Sequence, residues 1–454
     1  MVFNSLVFLL KFLPIFLLIY YIAEAKHRNV VLFIGSVYFY AYGEPVYVLL
    51  LLASTVVNYE VGKRLDIKKK SKEYKKRLIF WAAAALDVAL LVFFKLIPEI
   101  SLAGMKLGMP LGISFYTFQV LCYLADVYRG DIRAEYSFVK FGTYISMFPQ
   151  LVSGPIVNYS EVSRELKFRR CTLAQFDGGL KKFVWGLTMK VLLADRLAIL
   201  WHEIQTTGFV SISTPLAWFG AIGYSMQIYF DFYGYSLMAV GLGEMLGFSL
   251  PENFDLPYMS KSVREFYRRW HMTLGRWFRK YVYIPLGGSR KGISRTVLNL
   301  LVVWVLTSLW HGVTPNFLIW GLSLWLLITL ERLFDRNNKI AKSKVISHLY
   351  VLFVIPLTWM CFAITDISEL QIYFGRMFGF AEGINVNPAD FVKAADNYGV
   401  LFAVGILMCT PISKKLFERY RDKLVGMLVL AVLFWCCVWR IMAEGNNPFM
   451  YAHF

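Results

Sequence analysis

The sequence is poor in charge, and poorest in acids: 17% of its residues are charged, and 30 Asp and Glu stand against 48 Lys and Arg. So little charge in 454 residues that are 57% hydrophobic excludes a globular protein with its surface in water, and a mean hydropathy of +0.52 says the same. Cysteine is scarce. Cys122, Cys171, Cys361, Cys409, Cys436 and Cys437 lie almost all inside apolar runs, with no C-x-x-C pair and no histidine cluster beside them. That pattern argues against both a disulfide framework and a bound metal. No internal repeat with matched motifs is found, which argues against an inverted-repeat transporter. No small-residue cleavage site closes the first apolar run, so it reads as a membrane helix and not as a removed signal.

What remains is a polytopic membrane protein. The excess of +18 sits in short loops between apolar runs, so it reads as positive-inside topology in a lipid bilayer and not as a nucleic-acid surface. Apolar runs lie near 2–23, 30–42, 46–61, 78–97 and 111–127. Basic loops at 26–28 and 63–77 place those ends in the cytoplasm, with the N-terminus and the 43–45 turn outside. The stretch 138–157 is interrupted by Pro149, Gly154 and Pro155 and reads as re-entrant, since broken backbone at membrane depth needs protein or a wet cavity around it. A helix leads out over 179–201, and 216–246 returns as one long or broken helix carrying Gln227 and Asp231. Asp231, like Asp87, Asp126 and Asp195, is an acid in an apolar run; such a group serves either a site or a helix-to-helix hydrogen bond. A polar linker at 335–344 precedes spans near 349–364, 398–408 and 424–439, with 366–397 outside and 414–423 inside. The expectation is an all-α polytopic protein of roughly 11 to 13 transmembrane or re-entrant helices.

The stretch 261–321 organises the rest. Its first half sets Lys261, Arg264, Arg268, Arg269, Arg276, Arg279, Lys280, Arg290, Lys291 and Arg295 against one acid, Glu265. That balance suits either an amphipathic helix in the headgroup layer with its tryptophans buried, or a surface that receives a phosphorylated carrier. Gly287 and Gly288, followed by Ser289, Arg290 and Lys291, are either a plain turn or backbone N–H groups offered to a phosphate. The second half is nearly uncharged, yet carries Trp310, His311 and Gly312 at its middle. An imidazole there can take a proton from a hydroxyl and return it within one cycle, or it is a core histidine bonded to a carbonyl. His271, beside Trp270, is a second candidate.

At FYRRWHMTLGRWFRKYVYIPLGGSR and SLWHG, with PLGISFYTFQ, MFPQLVSGPIV, KVLLADRLA, QIYFDFYGYS and LGFSLPENFDLPY in the same order, the whole chain resembles the membrane-bound O-acyltransferase family, in its alginate O-acetyltransferase-like branch. The resemblance implies one membrane domain over 1–454 around a central tunnel, with a catalytic core at 111–335 and a cytoplasmic amphipathic segment at 255–295. It implies a multi-pass protein of the bacterial cytoplasmic membrane, with acetyl-CoA as acyl donor and no tightly bound cofactor or metal. Transfer is then expected at His311, with His271 as the second histidine. Arg268, Arg269, Arg276, Arg279, Gly287, Gly288, Arg290 and Trp310 are expected to hold the donor, and Gln150, Gln227, Asp231 and Asn316 to line the tunnel. An extracytoplasmic SGNH-type partner enzyme is implied, which passes the acetyl group to a polysaccharide of the alginate kind. Two readings stand beside this one. A D-alanyl transferase of teichoic-acid modification shares the family but lacks the YIPLGG-type segment at 283–288. A saccharide or lipid flippase has similar helices and no need of a thioester.

Overall fold

A computed structural model describes residues 1–66, 73–97, 100–102, 105–152, 154–334, 343–445, 447, 449 and 450. Most of the linker expected at 335–344, and residues 67–72 of the basic loop, lie outside the described residues.

The chain is an all-α, multi-pass membrane protein. Six described helices are long and apolar enough to cross a bilayer: Glu73–Leu96, Ile293–His311, Pro315–Phe334, Lys344–Ala363, Asp390–Met408 and Leu424–Glu444. Phe8–Ile22 is apolar but shorter. Among the described residues, the only strands are the three-residue pair Ile100–Leu102 and Met105–Leu107, which run antiparallel.

Particular residues decide the shape of these helices. The run at 216–246 is one unbroken helix, Thr214–Met245, whose only proline stands in its first turn, where an absent N–H costs nothing. Its glycines serve close packing. A Cβ on Gly241 would lie 2.5 Å from the carbonyl oxygen of Gly179, and one on Gly179 the same distance from that of Gly241. With no water to drive association in lipid, such backbone-to-backbone approach is a main source of helix pairing. The run at 179–201 spreads over Leu173–Thr188, a π-helical turn Met189–Ala194, and Asp195–Thr207. Around Pro149 the backbone breaks as its sequence predicts. Phe138–Ser146 stops, Phe148–Leu151 makes a single turn, and 154–158 is irregular. The freed groups find protein partners: Phe148 N–H donates to Ser36 Oγ at 3.1 Å, and Tyr144 Oη donates to Val157 O at 2.9 Å.

Two compact units are formed by interleaved segments. One comprises Met1–Gly186, Tyr235–Glu252 and Val438–Phe454; the other comprises Leu187–Gly234 and Asn253–Cys437. The first has a core of phenylalanines, with Phe3, Phe8, Phe12, Phe39 and Phe148 within ring-contact distance of one another. The second holds both candidate histidines.

Candidate active site

His311 is the last residue of the helix Ile293–His311, and Pro315 opens the next, Pro315–Phe334. The nearly uncharged run is therefore a helical hairpin, and its histidine sits at the turn. The two helices touch so closely that a Cβ on Gly321 would collide with Ser308 Oγ. A Cβ on Gly312 would collide with the Phe317 ring, so the glycine lets the turn fold down onto that ring. His311 is 6% exposed and enclosed by aromatic rings: Trp310 at 4.6 Å between centroids, Trp320 at 5.0 Å, Phe362 at 5.1 Å and Phe317 at 6.3 Å. The imidazole is thus walled largely by carbon.

Asn316 helps to build this box. Its Nδ2 donates to Cys361 O and Phe362 O at 3.3 and 3.2 Å, while its Oδ1 accepts from Thr314 Oγ1 at 2.6 Å. It ties the C-terminal end of Lys344–Ala363, and with it the Phe362 ring, to the hairpin turn.

The structure brings the second histidine to the same place. His271 is 4% exposed, 4.7 Å from the Phe232 ring and 6.2 Å from Trp310, so both imidazoles lie near the same indole. Its backbone is left-handed, with φ 44° and ψ 54°, a strained conformation for a residue with a Cβ. Burial pushes its imidazole down to about 3, so it is neutral at physiological pH. Sequence reading missed the residue that holds it, Asn253. Asn253 Oδ1 lies 3.0 Å from His271 Nδ1 and accepts from Thr273 N at 3.2 Å and Thr273 Oγ1 at 2.9 Å, while Asn253 O accepts from Met272 N at 2.9 Å.

Two of the contacts that anchor the basic segment lie at its start. Glu331, near the end of Pro315–Phe334, accepts from the backbone N–H groups of Val263 and Arg264 at 2.5 and 3.0 Å, and His348 Nδ1 donates to Ser260 O at 3.0 Å. Trp270 turns into the protein against Trp359 and Phe254, at 4.9 and 5.0 Å, and not into a headgroup layer. Of the expected donor-binding cations, Arg268, Arg276, Arg279 and Arg290 are exposed. Arg269 is less exposed, and its guanidinium is held by Glu265 at 2.9 Å and Asp255 at 3.3 Å; Arg268 reaches the same Glu265 at 3.8 Å. The Gly287 and Gly288 N–H groups are not offered to a ligand either. They close a turn on Ile284 O and Tyr283 O, both at 2.9 Å, and Gly288 O accepts from Asn299 Nδ2. Both glycines have positive φ, which is why the turn needs them.

The expected tunnel residues are divided between the two units: Gln150 belongs to the first, and Gln227, Asp231 and Asn316 to the second. Gln150 is fully buried in the first unit, with its Nε2 bonded to Tyr144 O. Asp231 pairs with Lys190 at 2.5 Å, and Lys190 also reaches Asp195 at 2.7 Å, forming a buried charge cluster on the π-helical turn. Gln227 lies one turn before Asp231, buried, with Oε1 lacking a hydrogen-bond partner among the described residues. Asp87, another of the intramembrane acids, accepts from Asn58 Nδ2 at 3.1 Å. No group of three His, Cys, Asp or Glu side chains among the described residues could hold a metal ion.

Comparison with known proteins bears on this geometry. Residues 33–367 match the model of the membrane-bound O-acyltransferase family. The probable alginate O-acetylase AlgI of Pseudomonas syringae pv. tomato is 36% identical over 397 residues, covering 84% of this chain and 76% of that protein. The peptidoglycan O-acetyltransferase of Helicobacter pylori is 32% identical over 426 residues, with 83% and 80% covered. The teichoic acid D-alanyltransferase of Bacillus subtilis is 29% identical over 247 residues, with 50% and 60% covered.

Proposed function

The chain belongs to the membrane-bound O-acyltransferase family and is an acyltransferase, and from that premise we propose that it takes acetyl groups from cytoplasmic acetyl-CoA and passes them across the bacterial cytoplasmic membrane. The acetyl groups serve O-acetylation of an extracellular polysaccharide, an alginate-like exopolysaccharide in first place, through an extracytoplasmic SGNH-type partner. The observation that carries this reading is the pair of buried imidazoles about one indole, at the turn of an apolar hairpin. The names of the relatives that this chain matches over most of its length supply the acetyl group and the polymer class.

In the proposed reaction, donor and acceptor meet at His311 along a tunnel. The neutral imidazole takes the proton of an acceptor hydroxyl, and the oxygen attacks the thioester carbonyl carbon. The C–O bond forms, the C–S bond breaks, and the imidazolium returns its proton to the leaving sulfur. The products are an acetyl ester and free CoA thiol. His271 hydrogen-bonds and positions, and the exposed face with Arg268, Arg276, Arg279 and Arg290 attracts the CoA phosphates.

Extracellular polysaccharide from cells lacking this protein is expected to lose its O-acetyl esters, measured by proton NMR, and to regain them with the wild-type chain. Unchanged ester content contradicts the polysaccharide assignment. Loss of D-alanyl esters in its place moves the donor to an alanyl carrier.

A further inference from the structure

Among the groups around the two histidines, Asn253 makes contacts that determine the chemistry of a neighbour. Its side-chain oxygen can be told from its nitrogen by chemistry alone, because Thr273 N is a backbone N–H and can only donate. The atom 3.2 Å from it is therefore Oδ1, an acceptor, and the amide cannot be flipped without facing two donors at each other. The same oxygen lies 3.0 Å from His271 Nδ1. An acceptor-only atom at that distance requires the proton on Nδ1, which leaves the lone pair on Nε2. His271 Nε2 is buried and has no hydrogen-bond partner among the described residues, and Asn253 Nδ2 is in the same state. The main chain adds a second tie: Met272 N donates to Asn253 O at 2.9 Å, across the left-handed turn at His271.

We propose that Asn253 is a positioning residue of the active site, which fixes His271 as the Nδ1–H tautomer and so presents its Nε2 lone pair as a hydrogen-bond acceptor for the reacting hydroxyl or the donor. It holds the strained turn through its backbone carbonyl and sets the tautomer through its amide. In this way a residue 18 positions upstream governs a ring it does not neighbour in sequence. That His271 takes part in acyl transfer rests on the proposed function; that Asn253 sets its tautomer does not.

The test therefore has two arms. In the first, full-length protein labelled with nitrogen-15 histidine is reconstituted in lipid and its imidazole shifts are read by solid-state NMR at neutral pH, with the His271 signals assigned by their loss in His271→Gln. The expected result is a neutral ring with Nδ1 protonated, replaced by a tautomer mixture in Asn253→Ala. An Nε2–H ring or an imidazolium in the wild type overturns the proposal, as does an Asn253→Ala spectrum identical to wild type. The second arm measures acetyl transfer from acetyl-CoA against pH. Asn253→Ala is expected to lower kcat by about 10- to 100-fold with KM for the donor little changed. Asn253→Asp keeps the acceptor and adds a charge that stabilises the imidazolium. Its activity is expected to approach wild type at high pH and to fall as pH drops through the raised His271 pKa, giving an acidic limb that begins at higher pH than the wild type's. Equal losses in kcat at all pH values for both variants indicate a merely structural role and overturn the proposal. If the NMR arm holds and no acetyl transfer is seen from the wild type, it is the proposed function that fails.

Discussion

His271 and His311 lie near the same indole, Trp310, yet their surroundings set them different tasks. His311 is walled by aromatic carbon at the turn of its hairpin. His271 has one nitrogen committed to Asn253, and its other is the one left to a substrate. The depressed pKa of His271 has a sign that can be checked. The unfolded chain takes up a proton on this ring near pH 6.5, and the folded chain only near about 3, so between these values acid favours unfolding. Wild-type stability should thus fall by about 1.4 kcal/mol per pH unit below roughly pH 6 on account of this ring alone, and His271→Gln should lack that component. Thermal melts of the solubilised protein from pH 7 to 4 check this; parallel curves for the two proteins count against a buried neutral His271. Both histidines are legible in the sequence, as an imidazole in an uncharged run and another in a basic one. Asn253 is not, because its partnership depends on the left-handed turn at His271, which no spacing rule announces. The pairing of Arg269 with Glu265 is readable, since the two stand four apart on a helix.

Elements carry the site through a few contacts at their ends. Glu331 closes the N-terminal end of Val263–Arg269 with both carboxylate oxygens, and so fastens the basic segment to the helix that follows His311. Glu331→Ala removes two charge-assisted hydrogen bonds, worth about 2 to 4 kcal/mol together. The expected outcome is a KM for the donor raised more than kcat is lowered, together with faster proteolysis within 255–295. Unaltered kinetics and proteolysis would show that the segment is held elsewhere. The Lys190 cluster predicts a different failure. Lys190→Met removes the buried cation that Asp231 and Asp195 share and should cost about 3 to 5 kcal/mol, part of it recovered in Lys190→Met with Asp231→Leu. Melting temperatures of the single and double variants decide this, and additive losses refute the shared pairing. The break at Pro149 and the acid at Asp231 are visible in the sequence, because proline and charge are local signals. The π-helical turn and the role of Lys190 are not, since a lysine in an apolar run announces no partner until the helices are packed. Gly287 and Gly288 announce a turn, but not that their own N–H groups close it on Ile284 O and Tyr283 O.

At the scale of the whole molecule, a chain with an excess of +18 keeps Arg268, Arg276, Arg279 and Arg290 exposed while both candidate histidines are buried among aromatics. Six described helices meet the length and hydropathy of a full span, while the roughly 11 to 13 segments read from apolar runs also include re-entrant and shorter pieces. Around Pro149 and Lys190 such pieces are broken or π-helical, and polar groups there find partners within the protein. If the cationic face draws in a polyphosphate donor, its KM should rise several-fold between about 50 and 500 mM salt, and that dependence should flatten when Arg268, Arg276, Arg279 and Arg290 are replaced together by Gln. An unchanged salt slope in that variant sends the donor to another surface. The central claim is that the His311 ring performs the proton transfer, and one measurement bears on it directly. Release of free CoA thiol from acetyl-CoA is followed with purified wild type and His311→Ala in lipid nanodiscs, in the presence of a hydroxyl acceptor, after circular dichroism and melting show equal folding. The account predicts a rate lower by about 100-fold or more in the variant; a folded His311→Ala protein that transfers acetyl at the wild-type rate contradicts it.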